Sequence, residues 1–161
     1  MFKAAIITAS DKGYAKERED VSGSVVKGIL LENQYEIFDY IILPDDREML
    51  SQKMLEYCSE GVDLILTTGG TGFSKRDVTP EATEKVIERR AEGITQAMLY
   101  NSLKITPRAL LSRGIAGIRG ETLIVNLPGS PKAVKENLEF AIGSIKHGLE
   151  ILKGMTGECA R

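Results

Sequence analysis

The residues best suited to chemistry lie in one run, Thr67-Thr68-Gly69-Gly70-Thr71-Gly72-Phe73-Ser74-Lys75-Arg76-Asp77-Val78-Thr79-Pro80. Its glycines can take positive φ and let the backbone come close to a ligand. The N–H groups exposed in such a turn cradle phosphate oxygens. An ordinary glycine-rich strand-to-helix turn has the same composition, so the glycines alone do not choose. Lys75 and Arg76 either add cationic contacts or project into solvent. Asp77 places a carboxylate beside a phosphate cradle, a conflict that a cation between them resolves. Mg²⁺ is the natural candidate, since it is typically held by one or two carboxylates plus substrate phosphates. The other reading is that Asp77 only orders the turn. No GKS/T follows at P-loop spacing and no GxGxxG is present, so neither nucleotide fingerprint applies.

Three further segments carry polar groups at strand ends or helix starts. Asp45 and Asp46 follow Pro44, and Asp45 with Glu48 has the spacing of a capping-box variant. Asp45 also shares a strand-end edge with Asp77, where the two carboxylates could grip one Mg²⁺. Asn126-Leu127-Pro128-Gly129-Ser130-Pro131-Lys132 is a second strand–turn–helix element. Gly129 and Ser130 put N–H groups and a hydroxyl at the positive end of a helix, which suits an anion. Ser130 as N-cap with Pro131 at the first helical position describes the same geometry. Asp20-Val21-Ser22-Gly23 opens an earlier helix with Asp20 or Ser22 as its cap. His147 is the single histidine, in a helical stretch read as solvated, which removes histidine triads and zinc sites.

These groups need elements to position them. Apolar runs at Lys3 to Ala9, Glu36 to Leu43 and Val62 to Thr67 read as strands. Ile115 to Ile118 and Thr122 to Asn126 add two more, with Arg119-Gly120-Glu121 as a hairpin turn. Helical spacing marks Val21, Val25, Val26, Ile29 and Leu30, then Met49, Leu50, Met54, Leu55 and Cys58. Thr79-Pro80-Glu81 reads as a helix start with Thr79 as N-cap, leading into a helix from Pro80 to about Arg90. Another is expected from Ile94 to Leu103, a short turn after Pro107, and a last helix from Pro131. Strands alternating with helices predict a three-layer, doubly wound, mostly parallel sheet with helices on both faces. Ser10-Asp11, Asp45-Asp46, Gly69 to Asp77 and Asn126 to Ser130 all follow strands, and loops after parallel strands share one edge, where ligands bind.

The 161 residues fit a single domain spanning 1–161. A formal net charge of −2 gives no electrostatic reason to expect nucleic-acid binding. Nothing in the chain reads as a membrane span or a secretory leader. Cys58 and Cys159 form no CxxC or metal pattern, which suits a reducing cytoplasm.

The run Thr67 to Thr83, TTGGTGFSKRDVTPEAT, resembles the signature loop of the molybdopterin adenylyltransferases of the MogA/MoaB family. Ile42 to Asp46, Glu19 to Gly23 and Asn126 to Lys132 also resemble it, in the same order, so the likeness covers essentially the whole chain. The resemblance implies a homotrimer that binds Mg-ATP and molybdopterin. The implied reaction transfers AMP to the terminal phosphate of the pterin and releases pyrophosphate. It implies catalytic, Mg²⁺-positioning roles for Asp45 and Asp77. It implies substrate or nucleotide contacts at Thr68, Gly69, Gly70, Thr71, Gly72 and Ser74, and at Pro128, Gly129 and Ser130. A molybdenum-insertion enzyme is an implied partner, and no ligand contact is assigned to the connector Asp11 to Glu19. Two other classes stay open: a non-catalytic pterin-binding module or MoaB-type paralogue, and a nicotinamide oxidoreductase, against which the missing GxGxxG counts.

Overall fold

In the computed structural model, which describes residues 1–156, six strands form one sheet. The chain begins with β1 (Lys3–Ala9), one-turn α1 (Asp11–Tyr14), α2 (Val21–Glu32), β2 (Glu36–Leu43), α3 (Arg47–Ser59), β3 (Leu64–Thr68) and α4 (Thr79–Glu84). It continues with β4 (Arg89–Arg90), α5 (Glu92–Leu103), a 3₁₀ turn (Pro107–Leu111), β5 (Ala116–Arg119), β6 (Thr122–Leu127) and α6 (Pro131–Leu152). The strand order is β2-β1-β3-β6-β5-β4. β1 is parallel to β2 and β3, and β3 to β6, whereas β5 runs antiparallel to β6 and β4. The chain leaves β1 for β2 on one side and returns to β3 on the other, so the topological switch point lies between β1 and β3.

Alternation along the strands sorts the core into two halves. Ala4, Ile6, Leu64, Leu66 and Val125 face α2 and α6, packing on Val26, Leu30, Leu138 and Ile145. Ala5, Ile7, Ile65 and Ile124 face the other way, against Leu50, Met54 and Tyr57 of α3 and Ala82 of α4. Burial of each such aliphatic side chain stabilises by roughly 1.5–3 kcal/mol. The expected doubly wound sheet with helices on both faces is therefore present.

Local capping settles several open points. Asp20, not Ser22, caps α2: its Oδ1 accepts from the Gly23 N–H at 2.9 Å. Its Oδ2 accepts the Thr8 hydroxyl at 2.6 Å and the Tyr40 hydroxyl, so one carboxylate ties β1, β2 and α2 together. Burial, reinforced by that bond, pushes the Tyr40 phenol up to about 12. Asp46 caps α3, accepting from the Met49 N–H at 2.8 Å, so the Asp45/Glu48 capping box does not form.

The helix expected from Pro80 to Arg90 is the main departure. α4 ends at Glu84, and the next residues are captured as an edge strand. Glu88 N–H donates to Ile118 O at 2.8 Å and Ala91 N–H to Ala116 O at 2.9 Å. Gly117 permits the approach, because a Cβ there would lie 2.6 Å from Ile87 Cδ1. Thr79 is the first residue of α4 and makes no side-chain cap; Val78 precedes it. The connector after β1 is not irregular throughout, since the Ser10 hydroxyl accepts from Gly13 N–H and closes α1. Cys58 is half-buried on α3, where burial pushes its thiol up, and Cys159 lies outside the described residues. His147 is on the surface beside Glu150, at 3.4 Å. Among the described residues no helix is long and apolar enough to cross a membrane.

Candidate active site

Because β1, β2, β3 and β6 are parallel neighbours, the loops that follow them meet on one edge. The glycine loop after β3 is shaped by close approaches. Gly69 has φ +88°, and a Cβ there would lie 2.3 Å from the Ala9 carbonyl oxygen at the end of β1. Gly70 has φ +67°, and its Cβ would fall 2.3 Å from Thr79 Oγ1 and 3.1 Å from Asp45 Oδ1. A Cβ on Gly72 would meet Asp77 Oδ2 at 2.9 Å. The loop is thus folded directly over both candidate carboxylates, and only glycine leaves them room. Thr79 N–H donates to Gly70 O at 3.1 Å and closes its base.

Arg113 holds this loop from the side. Its Nε donates to Gly72 O and a guanidinium N–H₂ to Asp77 O, both at 2.8 Å, and it also pairs with Glu81. Its own N–H donates to Thr71 O at 2.8 Å. A single residue far along the chain therefore fixes the loop backbone at Thr71, Gly72 and Asp77 itself. Sequence reasoning missed Arg113, which stands in no periodic or glycine-rich motif.

Asp77 accepts the Ser74 N–H on Oδ2 at 3.0 Å, closing the tip of the loop. Asp45 is differently placed. Its Oδ2 accepts the Asp11 N–H at 3.1 Å, whereas its Oδ1 is buried with no hydrogen-bond partner. Thr79 Oγ1, on the same side of Gly70, is likewise buried and unpartnered. Burial raises the Asp45 carboxyl above the usual carboxylate range, opposed by its bond from the Asp11 backbone and reinforced by the nearby charges of Asp11 and Asp77. A buried acceptor without a partner costs about 1–3 kcal/mol, so a cation or a hydrogen-bond donor placed at Oδ1 would be stabilised there. A divalent cation fits this pair. Among the described residues no three His, Cys, Asp or Glu side chains converge as a metal cage, so such an ion would take its other oxygens from phosphates and water, as Mg²⁺ does.

A cavity of about 550 Å³ opens beside the loop. Of the residues singled out from sequence, Gly70, Thr71, Gly72, Asp77, Pro128, Gly129 and Ser130 line it. Thr68, Gly69, Ser74 and Asp45 do not. The buried Thr68 hydroxyl donates to Pro128 O at 2.6 Å, and Gly69 packs 3.5 Å from where a Gly129 Cβ would stand. Ser74 sits at the exposed loop tip. Asp45 approaches Gly70 outside the cavity lining, at the junction of β1 and β2. Ser130 caps α6, its hydroxyl oxygen accepting from Ala133 N–H at 3.2 Å, and Ser22 Oγ donates to Gly129 O at 2.6 Å. The far wall comes from α5, the 3₁₀ turn and α6, including Gln96, Ser102, Arg108 and Asn137, none of which was expected.

Residues 5–147 match the family model described as "Probable molybdopterin binding domain". The chain belongs to this molybdopterin-binding family. A molybdopterin adenylyltransferase of Helicobacter pylori is 40% identical over 153 residues, covering 92% of this chain and 86% of that protein. The crystal structure of a molybdopterin biosynthesis enzyme, MoaB of Thermus thermophilus, superposes with TM-score 0.90 at 42% identity, over 96% of this chain and 98% of that one. A tungsten cofactor synthesizing protein, MoaB of Pyrococcus furiosus, gives TM-score 0.87 at 34% identity, over 95% and 98%. The family resemblance carried by Thr67 to Thr83 is thus established along most of the chain.

Proposed function

We propose that this member of the family transfers the adenylyl group of ATP to the terminal phosphate of molybdopterin and releases pyrophosphate. The reading rests on one observation above the others. The signature loop folds over two carboxylates, and one of them, Asp45, presents a buried, unpartnered oxygen. Asp45 and Asp77 would hold Mg²⁺, which when bound supplies charge neutralisation at the triphosphate. The N–H groups of Gly70 to Gly72, at the cavity wall, would hold phosphate oxygens, with Gly129 and Ser130 facing them at the start of α6. Thr68 and Ser22 fix the Pro128 and Gly129 carbonyls and so aim that turn.

The attacking phosphate monoester has a second pKa of about 6 and is already largely dianionic at neutral pH. No general base is needed. The protein's task is to align two anions and stabilise charge on the leaving group. The cavity of about 550 Å³ is of a size to accept a pterin. Exposed Tyr100, Leu103, Ile105, Leu110 and Leu111, on α5 and the 3₁₀ turn with its flank, support self-association, and with the family likeness they support a homotrimer. We place the enzyme in the cytoplasm, upstream of a molybdenum- or tungsten-insertion enzyme.

The test is mass spectrometry of purified protein with molybdopterin, ATP and Mg²⁺, run beside Asp77→Asn. Adenylylated pterin and pyrophosphate from the wild type, with turnover reduced at least tenfold in a folded Asp77→Asn, is the expected result. The MoaB likeness favours one second reading, a paralogue that binds pterin without adenylylating it. Pterin bound with no AMP transferred would replace the enzymatic reading with that one.

A further inference from the structure

The connector after β1, to which the family resemblance assigns no ligand contact, supplies a group that reaches the site. Ser10 N–H donates to Leu43 O at 2.9 Å, tying the ends of β1 and β2, and the Ser10 side chain caps α1. That double anchor places Asp11 beside Asp45. The two residues exchange bonds: Asp11 N–H donates to Asp45 Oδ2 at 3.1 Å, and Asp45 N–H donates to Asp11 Oδ1 at 3.0 Å. The bracket joins positions 34 apart in sequence. It also decides which Asp45 oxygen is used, leaving Oδ1 without a partner against Gly70.

Asp11 is itself gripped from the glycine loop. Arg76 Nε donates to Asp11 Oδ2 and an Arg76 terminal nitrogen to Oδ1, both at 2.9 Å, a forked pairing of guanidinium and carboxylate. The hydrogen bond from Arg76 holds the Asp11 carboxyl below the usual carboxylate range. Arg76 is the residue immediately before Asp77. The fork therefore runs from the loop that carries Asp77, through Asp11, to the loop that carries Asp45. It also places the Arg76 cation among the carboxylates of Asp11, Asp45 and Asp46.

We propose that Asp11 and Arg76 form a positioning couple that orients Asp45 and sets its separation from Asp77, without either touching the reacting atoms. This rests on the reading of Asp45 and Asp77 as the Mg²⁺-holding pair. The couple is exposed, with side-chain accessibilities of 42% for Asp11 and 65% for Arg76, and exposed ion pairs contribute little to stability. A positioning role therefore separates from a structural one: the metal site suffers and the fold does not.

The experiment compares Asp11→Ala, Asp11→Asn, Arg76→Ala and the double alanine variant in the full chain. Mn²⁺ binding is titrated by electron paramagnetic resonance with a non-hydrolysable ATP analogue, and kcat and KM for adenylyl transfer are measured in parallel. Loss of a group that orients a metal ligand typically costs 10–100-fold in affinity or activity. Each alanine variant is expected to weaken Mn²⁺ and lower kcat by roughly that factor, with KM for molybdopterin unchanged and thermal unfolding barely moved. Asp11→Asn keeps an acceptor for Asp45 N–H but turns an N–H₂ toward Arg76 in place of Oδ2, so it is expected to lose about as much as Arg76→Ala, which keeps the test alive if Asp11→Ala does not fold. The double variant is expected to be no worse than Asp11→Ala alone, as for groups acting in series. Unchanged Mn²⁺ affinity in Asp11→Ala and Arg76→Ala overturns the proposal. Fully additive losses also overturn it, since Arg76 would then act on the nucleotide directly. A wild type that binds the metal–nucleotide pair yet transfers no AMP refutes the adenylyltransferase reading and leaves this one standing.

Discussion

Replacing three glycines by alanine separates backbone strain from occlusion of the site. Gly61 follows α3 with φ +75° and nothing within 4 Å of a would-be Cβ. Gly61→Ala then suffers only the left-handed conformation, roughly 1–2 kcal/mol. For a domain of this size, that lowers Tm by roughly 2–8 °C. Gly70 has the same kind of φ, +67°, but its Cβ would lie 2.3 Å from buried Thr79 Oγ1 and 3.1 Å from Asp45 Oδ1. Overpacking a buried contact adds about 1–3 kcal/mol, so Gly70→Ala is expected to be clearly less stable than Gly61→Ala. Gly72 carries no positive φ, and its Cβ would clash only with Asp77 Oδ2, at 2.9 Å. Gly72→Ala should therefore keep Tm within a few degrees while displacing the carboxylate. The assays are thermal and urea unfolding beside turnover of ATP and molybdopterin. Expected are wild-type kcat for Gly61→Ala and at least a tenfold fall for Gly70→Ala and Gly72→Ala. Equal stability of the Gly61 and Gly70 variants, or wild-type kcat in Gly72→Ala, would refute the reasoning.

Three further outcomes follow from the geometry. Asp46→Ala removes the α3 cap and should cost about 1 kcal/mol with kcat retained, measured by urea unfolding and the transfer assay; a large loss of activity would mean the roles of Asp45 and Asp46 are reversed. Buried Asn126 donates to Thr67 and Thr83, both at 2.9 Å, and accepts from Ile115 N–H at 3.1 Å. Asn126→Ala should cost about 3 kcal/mol, near 1 kcal/mol for each lost bond, and a Tm unchanged from wild type would contradict this network. Tyr40 has a folded pKa raised to about 12, so its contribution is present below the ordinary tyrosine value and is lost as pH rises through the folded one. Between about pH 10 and 12, stability of the wild type should fall more steeply than that of Tyr40→Phe, at a slope below the ideal ~1.4 kcal/mol per pH unit because solvent screens this partly exposed phenol. Parallel curves in urea unfolding would show that the phenol is not held in this way.

Much of the architecture was legible because it is written in local patterns. Apolar runs bounded by Pro44, Gly69 and Gly129 announced buried strands, and their alternation with amphipathic stretches implied parallel pairing, which alone places the strand-end loops on one edge. Ser130 with Pro131 marked the start of α6, and Asp20 that of α2, since a cap bonds within three residues of itself. The glycine run and Asp77 stood out for the same reason: a tight turn over a carboxylate needs particular residues at adjacent positions.

What tertiary structure decided were the pairings between distant positions. Spacing from Glu48 points to Asp45 as the cap; instead the end of β1, arriving through Asp11, engages Asp45, and Asp46 caps α3. The segment after α4 has the composition of a helix, yet β5 offers an open edge and Gly117 has no side chain to block it, so two residues become strand. Arg113 shows no local signature because its side-chain acceptors are 32, 36 and 41 residues away. Spacing in a sequence encodes bonds made within a turn of helix or a single hairpin. Bonds across the edge of a parallel sheet depend on strand order, which is set by how the whole core packs.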